Sequence, residues 1–411
     1  MNRRESPAPD ERRNTFILRL AEALHTAGSP AHDLEAAVNG CATRLGIEAH
    51  VYATPTAIFA SFGRPEDHRT SLLRTEPVDV DLARLSRVDD LRLRVVRGEV
   101  APEDGIARLE EISAAPRARG SAGLAAASAL ASGASARFLG GGAREIAAAA
   151  AIGLSIAILS LAIARWRPRT RLFESAGGAV AALLAAVAAS LVPATSQAVA
   201  VLAGVIVLLP GFSLTLAMNE LATRNLAAGT ARLTGAGMSF LSIAFGVAAG
   251  RALGLAALQA PAAAGAVEGL PEWTIAIALL VAPLALGALF QAHAKDWPVI
   301  LAVGVAGYAA ARLAGGEAGS AIGAFAGAFT VGCASHLVAR IRERPAAVTT
   351  VPGLVLLVPG SIGFRSLDAL MADDALRGID AAFEMMFVAF ALVAGLLLAN
   401  EVLPPRRRGR D

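Results

Sequence analysis

Ten predominantly apolar runs follow one another from Gly120 to the end of the chain, and they limit the possible folds more than any other feature. A helix that crosses the hydrocarbon core of a bilayer needs about 20 mostly apolar residues. Hydrophobic residues make up 55% of the 411 residues, which is more apolar surface than one soluble core carries. The sequence therefore predicts a membrane α-helical protein with about ten transmembrane helices. The predicted spans are 120–139, 145–165, 173–192, 196–210, 231–252, 273–292, 298–314, 318–339, 348–359 and 380–403.

These runs fall into two sets of five that are related by one offset. The segment GVIVLLPG at 204–211 recurs as GLVLLVPG at 353–360, so the two Pro-Gly pairs lie 359 − 210 = 149 residues apart. Because five crossings are an odd number, the second set would enter the membrane from the opposite face. The sequence therefore predicts two inverted five-helix repeats, at 120–252 and 272–404, joined by a linker at 253–271.

Charged residues are dense before Gly120, which indicates a separate soluble domain at 14–119. Apolar residues at helical spacing predict two helices that end near Gly28 and Gly46. Asp79 or Asp81 is expected to cap a third helix, and Pro102 to open a fourth. The predicted strands between the two helix pairs are 47–54, 56–62 and a third near 71–74. We therefore expect a small cytoplasmic α/β domain, preceded by a disordered tail at 1–13.

The sequence carries no recognisable catalytic or metal-binding motif. His25, His32, His50 and His68 lack the spacing of metal ligands and are interpreted as solvated surface residues. Cys41 and Cys333 are interpreted as packing residues. Lys295 is the only lysine and follows no glycine-rich loop, so a phosphate-binding loop for ATP is absent from the sequence. We expect no cofactor, no metal and no enzymatic activity, which leaves ion gradients as the energy source.

Arginine placement predicts the topology. Arginine clusters at 165–171 and 340–344 and the basic tail at 405–411 fall in loops predicted to be cytoplasmic, whereas the predicted outer loops hold scattered arginines such as Arg251. By the positive-inside rule, both termini are expected in the cytoplasm, with the helices in the cell membrane. The formal net charge of +3 is then a topology signal, and we expect no nucleic-acid partner because no basic stripe or set of stacking aromatic residues accompanies it.

The two Pro-Gly pairs give the sharpest prediction of a functional site. Proline removes a backbone donor, so a proline within a membrane helix leaves polar groups that need a protein-lined or watery cavity. Polar residues follow each pair, and the offset aligns Asn219 with Asp368. We hypothesise that both broken helices meet in the interior and line the path of a substrate or ion. The candidate residues are Pro210, Gly211, Ser213, Thr215, Asn219, Glu220, Pro359, Gly360, Ser361, Asp368 and Glu384.

Other interpretations of these residues stay open. Each Pro-Gly pair can simply end a short helix at the membrane interface, with the polar run as an ordinary amphipathic loop. Glu384 suits proton coupling if it lies at bilayer depth, but it can also lie near a helix end and extend to the interface. Gln197, Gln291 and His336 are interpreted as hydrogen-bonding groups between helices.

The chain resembles the threonine/serine exporter family from about Asn14 to Leu403. Three features carry the resemblance: the run LRLAEALHTAGSPAHDLEAAVNGCATRLGIEAHVYATPTAIFASFG, the later run DLARLSRVDDLRLRVVRGEVAPEDGIARLEEI, and a ten-helix domain with the LLPG and LVPG segments. The resemblance implies a cytoplasmic domain fused to a ten-helix secondary transporter. It also implies outward transport of small hydroxylated amino acids, driven by the proton-motive force.

Two other functions are kept as alternatives. One is export of dicarboxylates such as succinate, because split proteins that resemble the two halves are associated with it. The other is a membrane scaffold or sensor that binds a ligand without transporting it. The soluble domain can gate the inner mouth, mediate dimerisation or stabilise the fold, so the sequence leaves homo-oligomer formation open.

Overall fold

The computed structural model describes residues 9–64, 66, 68–76, 80–166, 172–258, 267–357, 360–371 and 374–404. Most of these residues are helical, and one three-stranded antiparallel sheet lies near the N-terminus. The chain therefore has the membrane α-helical composition that the apolar runs predict. The count of ten transmembrane helices and the inverted repeat go beyond this composition and stay predictions.

The N-terminal part is a layer of helices on a small sheet. Its elements are α1 (Pro9–Thr26), α2 (Ala31–Arg44), β1 (Ala49–Thr54), β2 (Ala57–Phe62), β3 (Arg69–Arg74), α3 (Leu82–Val96) and α4 (Pro102–Ala114). The strands pair in the order β1-β2-β3, and the tight turn between β1 and β2 contains Pro55 and Thr56. The three strands confirm the predicted ones. Helix α1 already begins at Pro9, so residues 9–13 are helical rather than part of a tail, and residues 1–8 lie outside the described part.

One hydrophobic core holds these helices to the sheet. Phe16 and Leu34 from the first two helices are fully buried with Ile58 of β2 and Leu109 of α4. Burying a side chain of this size stabilises a fold by about 1.5–3 kcal/mol. The start of α3 is fixed by Asp81, whose side chain accepts a 2.9 Å hydrogen bond from the Arg84 backbone N–H. Of the two predicted caps, Asp81 is therefore the one observed, and Asp79 lies outside the described residues.

The remaining helices are long and apolar. They are α5 (Ser121–Phe138), α6 (Ala143–Trp166), α7 (Phe173–Leu191), α8 (Gln197–Gly204), α9 (Gly211–Ala222), α10 (Leu226–Leu258), α11 (Thr274–Leu289), α12 (Trp297–Ala318), α13 (Ser320–Arg342), α14 (Ala347–Val355), α15 (Gly360–Met371) and α16 (Ala375–Val402). Among the described residues, seven helical segments are long and apolar enough to cross a membrane, and a bent pair raises the number to eight. Two further helices are not in this count. Helix α11 is apolar but shorter than a span. In α5, the serines and Arg137 lower the mean hydropathy of the helix.

Two helix boundaries differ from the predictions in a way that affects the site. Helix α10 runs from Leu226 to Leu258, so it begins five residues before the predicted span at 231–252 and takes up the first six residues of the predicted linker. A helix of 33 residues is about 50 Å long, which exceeds the thickness of the hydrocarbon core. Residues 259–266 of the linker and 405–411 of the tail lie outside the described part of the chain.

Close helix packing depends on glycine at two positions. A Cβ atom built on Gly246 of α10 would overlap the backbone of Ser175 in α7, and one built on Gly395 of α16 would overlap the backbone oxygen of Phe325 in α13. Small residues let helix backbones approach closely where lipid provides no hydrophobic driving force. Thus α7 packs along α10, and α13 packs along α16.

The N-terminal layer is attached to the membrane helices at the start of α3. The Leu82 backbone N–H donates a 2.9 Å hydrogen bond to the carbonyl oxygen of Phe290, which follows α11. Around this bond, Leu82 packs with Ile300 of α12 and Val348 of α14 in one buried apolar cluster. The two parts of the chain are therefore joined by a packed interface as well as by the backbone.

Candidate functional site

A break separates α8 from α9 at the first Pro-Gly pair. Helix α8 ends in a single 3₁₀ turn at Val205–Val207, and α9 begins at Gly211 at an angle of 59° to it. Pro210 precedes α9 with φ −78° and ψ 36°, and its ring leaves no N–H to continue the ladder of α8. Backbone groups at the break therefore lack partners within their own helix.

The second Pro-Gly pair lies against the first. A Cβ atom built on Gly360, the first residue of α15, would lie 3.5 Å from Cα of Gly211 and 3.4 Å from Cβ of Leu209. Pro359 itself lies outside the described residues. The structure thus brings the beginnings of α9 and α15 together, and a Cβ atom on Gly360 would already be in van der Waals contact with residues of the first helix break.

Two helix N-termini therefore converge at this point. The first N–H groups of a helix have no partner inside it, and the helix dipole places a partial positive charge at that end. Gly211 and Gly360 are both buried, so this charge is shielded from bulk solvent by protein. Such an arrangement stabilises an anionic group, for example a carboxylate, that enters between the two helices.

Four hydroxyl side chains lie within the first two turns of these helices, and one of them, Ser366 of α15, donates a 2.6 Å hydrogen bond to the Gly378 carbonyl oxygen. Thr215 is buried and donates a 3.2 Å hydrogen bond to the Gly211 carbonyl oxygen, so its hydroxyl is used within α9. Ser213 and Ser361 are half-buried, each two residues or fewer from the glycine that begins its helix. Ser213 and Ser361 are thus the hydroxyl groups that remain to contact a ligand at the break.

Asn219 and Glu220 lie at the opposite end of α9, eight and nine residues after Gly211. At 1.5 Å per residue, this is about 12 Å from the break. The Asn219 side-chain amide lies 3.4 Å from Nε2 of His32, and the Glu220 carboxylate accepts a 3.4 Å hydrogen bond from the Ala31 backbone N–H. Both residues therefore contact the beginning of α2 in the N-terminal layer rather than the residues at the break.

Glu220 is fully buried and is paired with a cation. Nε of Arg232, in α10, donates a 3.0 Å hydrogen bond to the Glu220 carboxylate, and 18% of the Arg232 side chain is exposed. A buried carboxylate without such a partner would cost several kcal/mol. The pair anchors the end of α9 to α10 at the point where α2 makes contact.

Asp368 does not meet Asn219, its counterpart in the alignment. Its carboxylate lies 2.5 Å from the guanidinium of Arg251. The assignment of Arg251 to an outer loop is wrong, because this arginine lies inside α10, seven residues before the helix ends at Leu258. An arginine directly after a glycine in a long apolar run was the signal for an internal charge, since membrane helices keep such residues only with a partner.

Glu384 lies away from the break, on an exposed face of α16. Its carboxylate accepts a 2.9 Å hydrogen bond from the Ser320 hydroxyl at the beginning of α13. Large apolar side chains on the same face are exposed, with Phe383 at 59% and Phe387 at 65%. The structure thus brings Glu384 next to a polar partner but not next to the other candidate residues.

Sequence reasoning missed some polar contacts. Ser239 of α10 donates a 2.8 Å hydrogen bond to the Glu174 carboxylate of α7. His25 is not a solvated residue as predicted, since it is 6% exposed, and His32 contacts Asn219. Burial lowers the pKa of His25, with Arg232 lowering it further, while hydrogen bonds to the backbone of Glu76 and Pro55 oppose this change. Residue spacing gives no signal for such contacts, because the partners are 30 or more residues apart in the chain.

The predicted hydrogen bond between helices is observed for His336, whereas the bond of Gln291 joins two segments that lie outside helices. His336 of α13 lies 2.9 Å from the Asn400 side-chain oxygen of α16, and the Gln291 side-chain oxygen accepts a 2.9 Å bond from the Arg119 backbone N–H. The part of the chain that the structure describes contains no group of three or more His, Cys, Asp or Glu side chains arranged to hold a metal ion.

Comparison with known proteins identifies two family models that together cover most of the chain. A model described as putative threonine/serine exporter matches residues 15–254, and one described as threonine/serine exporter matches residues 275–402. The gap between the two matches, at residues 255–274, overlaps the predicted linker at 253–271. No solved structure matches the chain.

Several individual proteins are similar to most of the chain. A protein of Mycobacterium tuberculosis named probable threonine/serine exporter is 26% identical over 96% of this chain and 77% of its own length. An uncharacterized protein of Schizosaccharomyces pombe is 25% identical over 91% of this chain and 46% of its own length. A pheromone-regulated membrane protein of Eremothecium gossypii is 25% identical over 86% of this chain and 49% of its own length. The chain spans about half the length of the fungal relatives.

Proposed function

Because the chain belongs to the threonine/serine exporter family, we propose that it is a secondary transporter that moves small hydroxylated amino acids, threonine and serine, out of the cell. The proton-motive force drives this export. The observation that carries the proposal is the contact of Gly360 with Gly211, which places the N-termini of two half-helices against each other. Discontinuous helices with converging N-termini are typical of the substrate sites of secondary transporters.

The helix bounds support a transporter built from two repeats. Helices α9 and α15 begin at Gly211 and Gly360, and α10 and α16 begin at Leu226 and Ala375, so both pairs are related by 149 residues (211 + 149 = 360; 226 + 149 = 375). The glycine contacts of Gly246 and Gly395 follow the same offset. Counting α5, α11 and the bent pair as crossings gives five spans in each repeat, so the second repeat is inverted and both termini lie on one side of the membrane. The arginine clusters favour the cytoplasm as that side.

The chemistry of the break fits an amino acid. The carboxylate of the substrate binds between the N-termini of α9 and α15, where backbone N–H groups and helix dipoles stabilise negative charge. The hydroxyls of Ser213 and Ser361 are close enough in the chain to these N-termini to contact the same ligand. A substrate hydroxyl group then exchanges hydrogen bonds with water for bonds with these side chains.

The position of α2 supports a gating role for the N-terminal layer. Ala31 and His32 contact Glu220 and Asn219 at the end of α9, and the other end of that helix forms the proposed binding site. A movement of α2 therefore acts directly on a helix that contributes to the site. The N-terminal layer lies on the cytoplasmic side of the membrane. Through this connection, it gates the cytoplasmic mouth of the transporter.

The test is efflux from proteoliposomes that contain the purified full-length protein. Vesicles loaded with labelled threonine, serine or succinate are compared with and without an imposed proton gradient. The proposal predicts efflux of threonine and serine that depends on the gradient. Efflux of succinate alone would contradict the substrate assignment, and the absence of flux for all three compounds would contradict transport.

Two variants link the flux to the break. Ser213→Ala and Ser361→Ala remove hydroxyl groups beside the converging N-termini and are expected to weaken threonine transport without preventing folding. Ser155→Ala is the matched control, because the Ser155 hydroxyl is exposed and bonds the Ala151 carbonyl oxygen within α6. Unchanged flux in both site variants would place the substrate elsewhere.

A further inference from the structure

A cavity of about 900 Å³ lies between the N-terminal layer and the loops of the membrane helices. One wall is formed by α3 and α4. The opposite wall is formed by the segment between α11 and α12 and by the segment between α13 and α14. This cavity is separate from the candidate residues at the two Pro-Gly pairs, none of which lines it.

Positive charge dominates the lining. Six cationic side chains line the cavity: Arg87, Arg94, Arg108, Lys295, Arg342 and Arg344. Three acidic residues, Asp90, Glu111 and Glu343, also line it, so six positive charges face three negative ones with His293 neutral. This excess of three positive charges favours a ligand with more than one negative charge.

Among the described residues, Arg87, Arg108, Lys295 and Arg344 have no ion-pair partner within 4.0 Å. Arg94 lies 3.5 Å from Glu99, which is outside the lining, and Arg342 donates a 3.3 Å hydrogen bond to the Lys295 carbonyl oxygen. Nε of Arg87 is buried and has no hydrogen-bond partner among the described residues. Donors in the cavity thus remain for a ligand.

The charge environment of His293 is consistent with this arrangement. Burial lowers the pKa of His293, and Lys295, Arg344 and Arg87 lower it further, while Asp296 opposes the change. Cations from the membrane loops and from α3 therefore all lie close enough to His293 to affect its imidazole ring.

The two walls are fixed relative to each other at one end. The hydrogen bond from Leu82 to Phe290 and the apolar cluster around Leu82 and Ile300 join the start of α3 to the membrane helices. Arg87 is one and a half helical turns after Leu82. The arginines of α3 therefore keep a defined distance from the cations of the loops, as a specific anion site requires.

We propose that this cavity binds a phosphate-bearing anion, held by Arg87 and Arg108 on one wall and by Lys295 and Arg344 on the other. Guanidinium groups match the geometry of phosphate oxygens and can donate two parallel hydrogen bonds. The ligand neutralises cations that otherwise repel each other across the cavity, so it tightens the docking of the N-terminal layer on the membrane helices. Phosphate groups of this kind come from a free phosphorylated metabolite or from the headgroup of an anionic phospholipid.

Thermal unfolding of the purified full-length protein tests the site. In detergent, inorganic pyrophosphate is titrated at constant ionic strength, with sodium chloride as compensation. The proposal predicts a saturable rise in the unfolding midpoint, because a ligand that binds only the folded state stabilises it.

In a second experiment, the protein in phosphatidylcholine nanodiscs is compared with the protein in nanodiscs that contain phosphatidylglycerol. A higher midpoint with phosphatidylglycerol and a reduced response to pyrophosphate would identify the headgroup as the source, whereas an unchanged response would identify the free anion.

The variant Lys295→Gln/Arg344→Gln removes two cations from the loop wall. Loss of one charge-assisted hydrogen bond weakens binding roughly tenfold, so the apparent Kd for pyrophosphate should rise at least that much. Arg87→Gln should have the same effect from the opposite wall, which keeps the test valid if one variant folds poorly. Arg69→Gln/Arg74→Gln is the matched control, since it removes two exposed charges from β3.

Three results would overturn the proposal. The first is the absence of a saturable response both to pyrophosphate and to phosphatidylglycerol. The second is an equal response in the cavity variants and in the β3 control, which would indicate general charge screening. The third is an equal response to succinate at the same ionic strength, because the site would then select negative charge without selecting phosphate.

Discussion

Asp368 of α15 is paired with Arg251 of α10 at 2.5 Å, and the two residues come from different halves of the predicted repeat. About a third of each side chain is exposed, 36% for Arg251 and 31% for Asp368. The pair therefore connects the half-helix that begins at Gly360 to a long helix of the other half. A movement of α15 during transport would have to break this contact or carry α10 with it.

Removing both members of this pair should destabilise the protein less than the sum of the two single removals. Arg251→Gln and Asp368→Asn each leave one charge without its partner, so each should lower the unfolding midpoint, while the double variant should lose less than the sum. A coupling energy of about 1 kcal/mol is expected for residues in direct contact. Arg377→Gln is the control, because 85% of the Arg377 side chain is exposed beside Asp374. Additive effects of the two single variants would show that the pair contributes nothing.

A larger side chain at Gly360 should block transport. Gly360→Leu adds four carbon atoms, of which Cβ alone already reaches van der Waals contact with Leu209 and Gly211, so the rest of the side chain is expected to push the two half-helices apart. Displacement of a binding group by about 1 Å commonly costs tenfold or more in activity, and threonine flux should fall by at least that factor. Gly237→Leu is the matched control, since a Cβ on Gly237 meets nothing within 4 Å. Equal flux in the two variants would rule out a role for the contact.

Glu220→Gln should loosen the N-terminal layer. The variant leaves Arg232 without its carboxylate in a largely buried position, which typically costs about 3 kcal/mol. Faster hydrogen exchange at residues 27–34 and at the end of α9 is the expected readout, and Glu220→Gln/Arg232→Gln should recover part of the protection. Glu22→Gln is the control at an exposed pair with Arg19. Unchanged exchange in Glu220→Gln would mean that the pair does not hold α2.

Acidification should destabilise the N-terminal layer through His25. Burial lowers the pKa of His25 in the folded state below its ordinary value of 6.5, so the unfolded state binds the proton more readily. Stability is therefore greatest above pH 6.5 and is lost as the pH falls through 6.5 toward the lower pKa of the folded state. The unfolding midpoint of His25→Gln should depend less on pH between 7 and 5 than that of the wild type. His50→Gln, at an exposed position of β1, should retain the wild-type response.

The Cys41 thiol should be unreactive while the protein is folded. Cys41 is fully buried, and desolvation raises its pKa to about 11, although Arg92 opposes the change. Because the thiolate is the reactive form, a soluble maleimide should label the Cys333→Ser variant only after unfolding. The doubly substituted Cys41→Ser/Cys333→Ser protein provides the background. Rapid labelling under native conditions would contradict the packing of α2 in the core.

The sequence predicted several elements well because their signals are local. The strands at 49–54, 57–62 and 69–74 and the start of α3 at Asp81 follow from residue alternation and from a capping side chain within four residues. The first Pro-Gly pair predicted the break between α8 and α9, since proline removes a backbone donor, whereas Pro359 of the second pair lies outside the described residues. The resemblance to threonine/serine exporters is likewise confirmed by the family models.

The contacts of Asn219 and Asp368 were not predictable in the same way. Their shared position in the repeat suggested a shared role, but one contacts His32 of the N-terminal layer and the other pairs with Arg251. Asn219 lies beside the N-terminal layer, whereas Asp368, at the aligned position of the predicted second repeat, lies beside α10. Equivalent positions therefore acquired different partners.

The sequence by itself determined which segments are apolar, where the helices break and to which family the chain belongs, because hydropathy, backbone chemistry and motif similarity are properties of short segments. The tertiary structure decided that the two breaks touch at Gly211 and Gly360, that Arg251 lies inside a helix with a carboxylate partner, and that cations from four segments surround one cavity. Each of these facts depends on contacts between residues far apart in the chain. Such contacts are selected by the packing of whole helices, and glycine and alanine, which are compatible with many helix pairings, do not specify them locally.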